Sequence, residues 1–266
     1  MTTLIGIAAG FLCIIISLFQ TGSPMNFISR SSIFIVFGGV LCATFASFTI
    51  ERLVNLAKAL RSIFRKDKTD INEDVEMLIN LANIARREGI LALEDSANET
   101  TEPFLKKGIM LIVDGSDPDL IKGIMETELA FIKERHAENR AVLDAMAAYS
   151  PAFGMIGTLI GLINMLQSLT DVSALGPNMS TALVTTFYGS MLANLVFNPL
   201  SKKLKSVGNR EYLRKDMILE GLLSIQNGEN PRVIREKLNA FLSRAQLNKN
   251  GSPSKKREGE PENAKT

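Results

Sequence analysis

The sequence predicts an all-α polytopic membrane protein: four transmembrane helices, with long helices extending into a helical cytoplasmic domain. Three observations predict it. Charged residues are absent from segments 1–29, 31–50, 145–170 and 172–201. A helix rising about 1.5 Å per residue needs about 20 residues to cross a hydrocarbon core of roughly 30 Å. Basic residues crowd the stretches after the second and fourth segments, and no segment alternates with the two-residue period of a strand. The averages over the chain, 46% hydrophobic and a mean hydropathy of +0.13, merge these unlike parts.

The spans are expected near 2–20, 31–50, 147–169 and 180–200. The first has no Lys or Arg ahead of its apolar run and no clear small-x-small site closing it. It therefore reads as a retained helix rather than a secretory signal. Cys13 and Cys42 lie inside apolar segments, which speaks against a disulfide framework. Orientation follows from basic residues. Arg52, Lys58, Arg61, Arg65, Lys66 and Lys68 follow the second span, and Lys202, Lys203, Lys205, Arg210, Arg214 and Lys215 follow the fourth. Connection 21–30 holds only Arg30, and 170–179 holds no basic residue. The positive-inside rule places 51–145 and 201–266 in the cytoplasm, with both termini. The expected organisation is spans one and two in 1–50, a cytoplasmic helical domain in 51–145 and spans three and four in 146–200. A helical extension in 201–247 and a disordered tail in 248–266 complete it; the tail is polar and holds Gly and Pro.

The cytoplasmic elements follow in order. Leu53, Leu56, Leu60 and Phe64 recur at helical spacing. Asp70 with Glu73 forms a capping box for a helix carrying Leu78, Ala82 and Ala85, and Gly89 ends it. Pro103 suits the first turn of a short helix, and Asp114-Gly115 signals a turn. Asp117-Pro118 supplies an N-cap and a first-turn proline. No strong breaker follows before Tyr149, so the third span is expected to continue as one long helix. The fourth span extends likewise through Leu204, Leu213 and Leu222. Asn230-Pro231 opens a last helix with Val233, Ile234, Leu238 and Leu242.

The third span is more than an anchor would require. Pro151, Gly154, Thr158 and Gly161 share a stripe, and Gly157 with Gly161 makes a small-xxx-small pair. On the fourth span Thr181, Thr185 and Tyr188 share a stripe, with Thr186 one step around. Hydroxyls and a carbonyl freed by proline are oxygen ligands, which suit a hard cation. Spans three and four could thus line a cation route. The same residues also have a plain reading, as hydroxyls bonded to their own helix and glycines that pack. No Asp, Glu, Lys, Arg or His lies in any of these expected spans, so if the chain conducts ions, a carboxylate must come from another chain or the ion passes without titration.

Other chemistries find little support. His136 sits in the charged run K-E-R-H-A-E-N-R and is expected to be exposed. Metal-ligand spacing, a nucleophile arrangement and a phosphate-binding glycine loop are all missing, and the basic residues sit beside spans or in the tail. An enzyme, a tightly bound cofactor, a metal site or nucleic-acid binding is therefore not expected. Arg86, Arg87, Glu88, Glu94 and Asp95 cluster around Gly89, where a solvated turn is the simplest reading.

At P-A-F-G-M-I-G-T-L-I-G-L the sequence resembles the MotA/PomA family of flagellar stator subunits. Further matches fall in family order: A-R-R-E-G-I-L-A-L-E (85–94), V-D-G (113–115), E-R-H (134–136), A-L-V-T-T-F-Y-G (182–189), N-P-L-S-K-K-L (198–204) and E-G-L-L-S-I-Q-N-G-E-N-P-R-V-I (220–234). The resemblance covers nearly all of the chain before residue 248. It implies a multi-pass protein of the bacterial inner membrane that forms a ring, expected as a pentamer, around two MotB/PomB-type subunits. Each partner would bring one membrane helix with an essential Asp. Ion flow past that Asp would turn the ring, which drives the rotor protein FliG. By motif, Pro151 resembles a functional proline near the ion, Pro199 one at the exit of the fourth span, and Arg86 and Glu94 the rotor-contacting charges. Glu88 reverses the charge found in some relatives. Thr158, Thr185 and Thr186 resemble the sodium-driven members, so Na⁺ is the favoured cation and H⁺ the other. An ExbB/TolQ-type energising subunit, which looks like three spans, and a passive helical scaffold are the alternatives.

Overall fold

The computed structural model describes residues 2–63 and 71–242. Helix dominates them and, among the described residues, no strand occurs. The expected all-α class holds. Four helical stretches are long and apolar enough to cross a membrane: Thr3–Gln20, Pro24–Ser47, and windows within Pro118–Gln167 and Val172–Gln226.

Helix α1 is Thr2–Thr21. Helix α2 covers 30–47; the Ser29 side chain caps it by accepting from the Ser32 N–H at 3.3 Å. A π-helical turn, Phe34–Gly38, lies inside it. This span ends at Ser47 rather than at 50, because Phe48 is extended at φ −131° and ψ 147°. The aromatic and β-branched run Phe48-Thr49-Ile50 favours that break. Helix α3, Ile50–Ile63, then starts afresh. Its Leu53, Leu56 and Leu60 pack with Val142, Leu143 and Leu204 as their spacing predicts. Phe64 lies outside the described residues, as does Asp70 of the expected capping box.

Helix α4 is Ile71–Glu88 and buries Leu78 and Ala82, with Ala85 packed beside them. Gly89 ends it at φ +92°, a backbone region open to glycine. A short α5, Leu93–Glu99, was not foreseen; Leu93 and Ala97 on one face are fully buried. Helix α6 is Pro103–Val113, with the proline in its first turn and Gly115 at φ +72° in the turn beyond. Helix α7, Pro118–Gln167, runs unbroken for 50 residues. Asp117 opens it, accepting from the Asp119 N–H at 2.9 Å. Helix α8 occupies Val172–Gln226, starting earlier than 180 because Asp171 caps it at the Ser173 N–H. A second π-helical stretch, Leu192–Phe197, interrupts it. Asn230 caps α9, Pro231–Asn239. Ile234 and Leu238 of α9 are buried as expected, but Val233 is 49% exposed, since one residue turns the helix by about 100°. The expected tail 248–266 lies outside the described residues.

The described residues divide into two compact units, 2–63 with 131–210 and 71–130 with 211–242. The second has a single core in which Leu78, Leu93, Phe104, Ile109, Met125, Leu222 and Ile234 meet. Across it, Arg214 binds Asp74 through Nε at 2.5 Å and Nη2 at 2.8 Å, and Glu102 through Nη1 at 3.0 Å. The hydrogen bond to Asp74 chiefly holds the guanidinium pKa above its ordinary value. In the first unit His136 is half-buried rather than exposed, because Gly208 has no side chain to keep the imidazole away.

Candidate ion site in the membrane-spanning helices

Helices α7 and α8 approach each other through glycines. A Cβ on Gly189 would stand 2.4 Å from the Ser150 carbonyl oxygen, and one on Gly154 3.1 Å from the Thr185 carbonyl oxygen. On Gly161 it would meet the Ala182 nitrogen at 2.8 Å, and on Gly157 the Thr185 side chain at 2.5 Å. Small residues thus set the helix separation, as the spacing of the glycines implied.

This close approach brings Thr158 and Thr186 together. Their hydroxyls are in direct short contact. Thr158 Oγ1 also lies 3.0 Å from the Gly154 carbonyl and 3.2 Å from the Ala182 carbonyl. Thr186 Oγ1 lies 3.5 Å from the same Ala182 carbonyl. A hydroxyl has one proton to donate, so Thr158 can satisfy only one of these oxygens at a time. The result is a small excess of oxygen lone pairs at one point in a charge-free span. Thr158 is half-buried and Thr186 exposed, so the cluster opens outward from the chain.

Thr185 is placed differently. It is fully buried, and its hydroxyl lies 3.1 and 2.8 Å from the Thr181 and Ala182 carbonyls of its own helix, with its one proton to give to either. That is the backbone-satisfied state common for membrane threonines. Tyr188 on the same stripe is also buried, its hydroxyl donating to the Phe27 carbonyl. Pro151 is exposed within α7. It has no N–H for the Ala147 carbonyl one turn back, while Ser150 Oγ donates to the Met146 carbonyl at 2.7 Å. Pro199 lies half-buried in α8, just past the π-helical stretch. Arg86, at the end of α4, and Glu94, in the first turn of α5, are both exposed. Sequence reasoning passed over Ser190 and Asn194, which continue the exposed line of Thr186 at four-residue intervals. That spacing was the signal available.

Four membrane-length helices, two of them packed closely through glycines, define a polytopic α-helical membrane protein. The profile of the MotA/TolQ/ExbB proton channel family matches residues 96–217. Motility protein A of Borreliella burgdorferi is 40% identical over 93% of this chain and 97% of its own length. Chemotaxis protein PomA of Vibrio alginolyticus is 37% identical over 91% of this chain and 95% of its own. The structure of the flagellar MotAB stator complex from Bacillus subtilis holds a chain with a TM-score of 0.87 and 30% identity, covering 94% of this chain and 98% of that one. The chain belongs to the MotA/PomA family of flagellar stator subunits, which is not an enzyme family.

Proposed function

We propose that this chain is the ion-conducting stator subunit of a bacterial flagellar motor, which turns a transmembrane cation gradient into torque together with a MotB/PomB-type partner. The observation that carries the reading is the Thr158–Thr186 cluster, four oxygens close together on an outward-facing site between stretches 145–170 and 172–201, which hold no Asp, Glu, Lys, Arg or His. A cation there needs a counter-charge, and an Asp on a partner's membrane helix would supply it. The exposure of Pro151 and Thr186 leaves room for such a helix beside the cluster. The chain would sit in the inner membrane with both termini cytoplasmic, as a homopentamer, and its cytoplasmic part would act on the rotor protein FliG. The transported cation, Na⁺ or H⁺, would be the only bound species, with no resident cofactor.

Na⁺ is the favoured cation because it requires several oxygens in addition to the carboxylate, whereas a proton requires none. Thr158 and Thr186 are the proposed direct ligands. Thr185, buried behind Gly157, would hold the helix separation and keep the Ala182 carbonyl in place. Thr158→Ala removes the bridging oxygen with little change of volume. It is expected to abolish swimming while leaving membrane assembly intact, and unchanged torque would sink the ion role. Swimming speed of the parent should rise with external Na⁺ at fixed pH. A speed indifferent to Na⁺ leaves the proton as the coupling ion.

Arg86 and Glu94 are the proposed rotor contacts, on opposite sides of the Gly89 turn. Reversing either charge is expected to reduce torque without reducing ring assembly, because both side chains are exposed and exposed charges contribute little to folding. Normal torque in both variants would place the contact elsewhere.

A further inference from the structure

The polar surface of α8 does not stop at Thr186. Thr186, Ser190, Asn194 and Asn198 follow at intervals of four, and the first three are exposed. They are also linked. Asn194 Nδ2 donates to the Ser190 carbonyl at 3.1 Å and reaches Ser190 Oγ at 3.5 Å. Asn198 Nδ2 donates to Asn194 Oδ1 at 3.4 Å.

The exposed part of the line has a direction. Four residues before Thr186 stands Ala182, which is buried, and eight before it Asn178, which is half-buried, with Leu183 and Met179 beside them 61% and 52% exposed. The exposed polar run leads from the oxygen cluster toward Lys202 and Lys203. The backbone changes in the same place. The π-helical stretch Leu192–Phe197 contains Asn194, and the Asn198 N–H reaches back to the Ala193 carbonyl. Such local widening is frequent at functional sites.

Packing within this chain does not explain an exposed amide in a span. A primary amide has two N–H groups and two lone pairs, more than these contacts use. Turned toward hydrocarbon, it would carry a penalty that a leucine would not. A cation leaving Thr158 and Thr186 faces a matching problem. From Thr186 to Asn198 is twelve residues, about 18 Å along the helix, with no Asp, Glu, Lys, Arg or His to relay charge. Neutral donors and acceptors along a wet wall are what such a passage requires.

We infer that Ser190, Asn194 and Asn198 line a water-filled half-channel that joins the Thr158–Thr186 cluster to the cytoplasm. The inference rests on the ion-conducting reading above and adds the exit route. Asn194 is its central hydrating residue, touching both its neighbours. Water along this wall takes over the cation's coordination as it leaves the threonine oxygens, and Lys202 and Lys203 mark the mouth.

The test uses the whole stator complex in inside-out vesicles, in a background carrying Cys13→Ala and Cys42→Ala. Ser190→Cys, Asn194→Cys and Leu183→Cys are treated with a positively charged, membrane-impermeant thiosulfonate. The first two are expected to react from the cytoplasmic face and Leu183→Cys to resist. Protection of both Ser190→Cys and Asn194→Cys, while Lys202→Cys reacts, means a partner helix or lipid covers the wall and overturns the proposal. Asn194→Leu is expected to lose swimming and Asn194→Ser to keep it; full swimming in Asn194→Leu also overturns it. Thr158→Ala separates the two readings: unchanged torque there rejects the ion site, whereas the labelling pattern reports on water alone.

Discussion

Arg214→Ala should lower the stability of the unit formed by 71–130 and 211–242 by about 3–5 kcal/mol, the cost of breaking a buried pair from one side. The Arg214 side chain is 18% exposed and that of Asp74 only 6%. Two of its nitrogens hold both Asp74 oxygens, and a third holds Glu102, whose other oxygen lies 3.5 Å from Lys215 Nζ. Removing the guanidinium leaves the Asp74 carboxylate buried without its bidentate partner. Surface pairs are a useful contrast. Arg52–Glu138 is as short, at 2.5 Å, but both side chains are more than 40% exposed, so water competes; Arg52→Ala should cost less than about 1 kcal/mol. Thermal unfolding of the purified complex and hydrogen exchange over Ile71–Glu88 would measure the difference. Replacing both members, Arg214→Met with Asp74→Leu, should cost less than either single loss, because no orphaned charge remains. Equal melting of Arg214→Ala and the parent would show that the network does not hold this unit.

Gly189→Ala should disrupt the contact between α7 and α8 and abolish function. The new methyl would meet the Ser150 carbonyl oxygen at 2.4 Å and the Gly154 Cα at 3.2 Å. Both obstacles are backbone, so relief requires the helices to separate. Overpacking in a close-packed site costs about 1–3 kcal/mol, and a backbone obstacle belongs at the upper end. The functional loss should exceed the loss of stability, since the short contact between Thr158 and Thr186 depends on the same separation. Gly157→Ala would meet the Thr185 side chain, including its Cβ at 2.6 Å, and is expected to disturb the same contact. Gly123→Ala meets nothing within 4 Å and should instead stabilise its helix, by about 0.5–1 kcal/mol. Opposite signs for Gly189 and Gly123 in a thermal-unfolding comparison would support steric control of the site. Normal swimming and unchanged melting for Gly189→Ala would refute it.

Much of this architecture was legible because its causes are local. The spans were visible as charge-free segments, since a bilayer excludes charge wherever the fold places the helix. Gly89, Pro103, Asp117 and Asn230 marked boundaries because cap and turn chemistry acts within a few residues. Helix α5 escaped because Leu93 and Ala97 are too few to show a period. The π-helical stretches in α2 and α8 left no compositional trace, since an inserted residue looks like any other. His136 was misjudged because its environment is set by Gly208, distant in sequence.

The candidate site divides in the same way. Spans three and four carry hydroxyls, glycines and a proline, and no charge, as the residues read along the chain establish. Residue identity alone settles these points. Whether Thr185 or Thr186 joins Thr158 was decided only by tertiary structure. The two differ by about 100° around one helix, and each is compatible with the sequence pattern. Packing of Gly157 against Thr185 turned that residue inward to its own carbonyls, and the same rotation carried Thr186 out to Thr158. Helix rotation depends on contacts summed over the whole interface, and no single residue type along α8 encodes it.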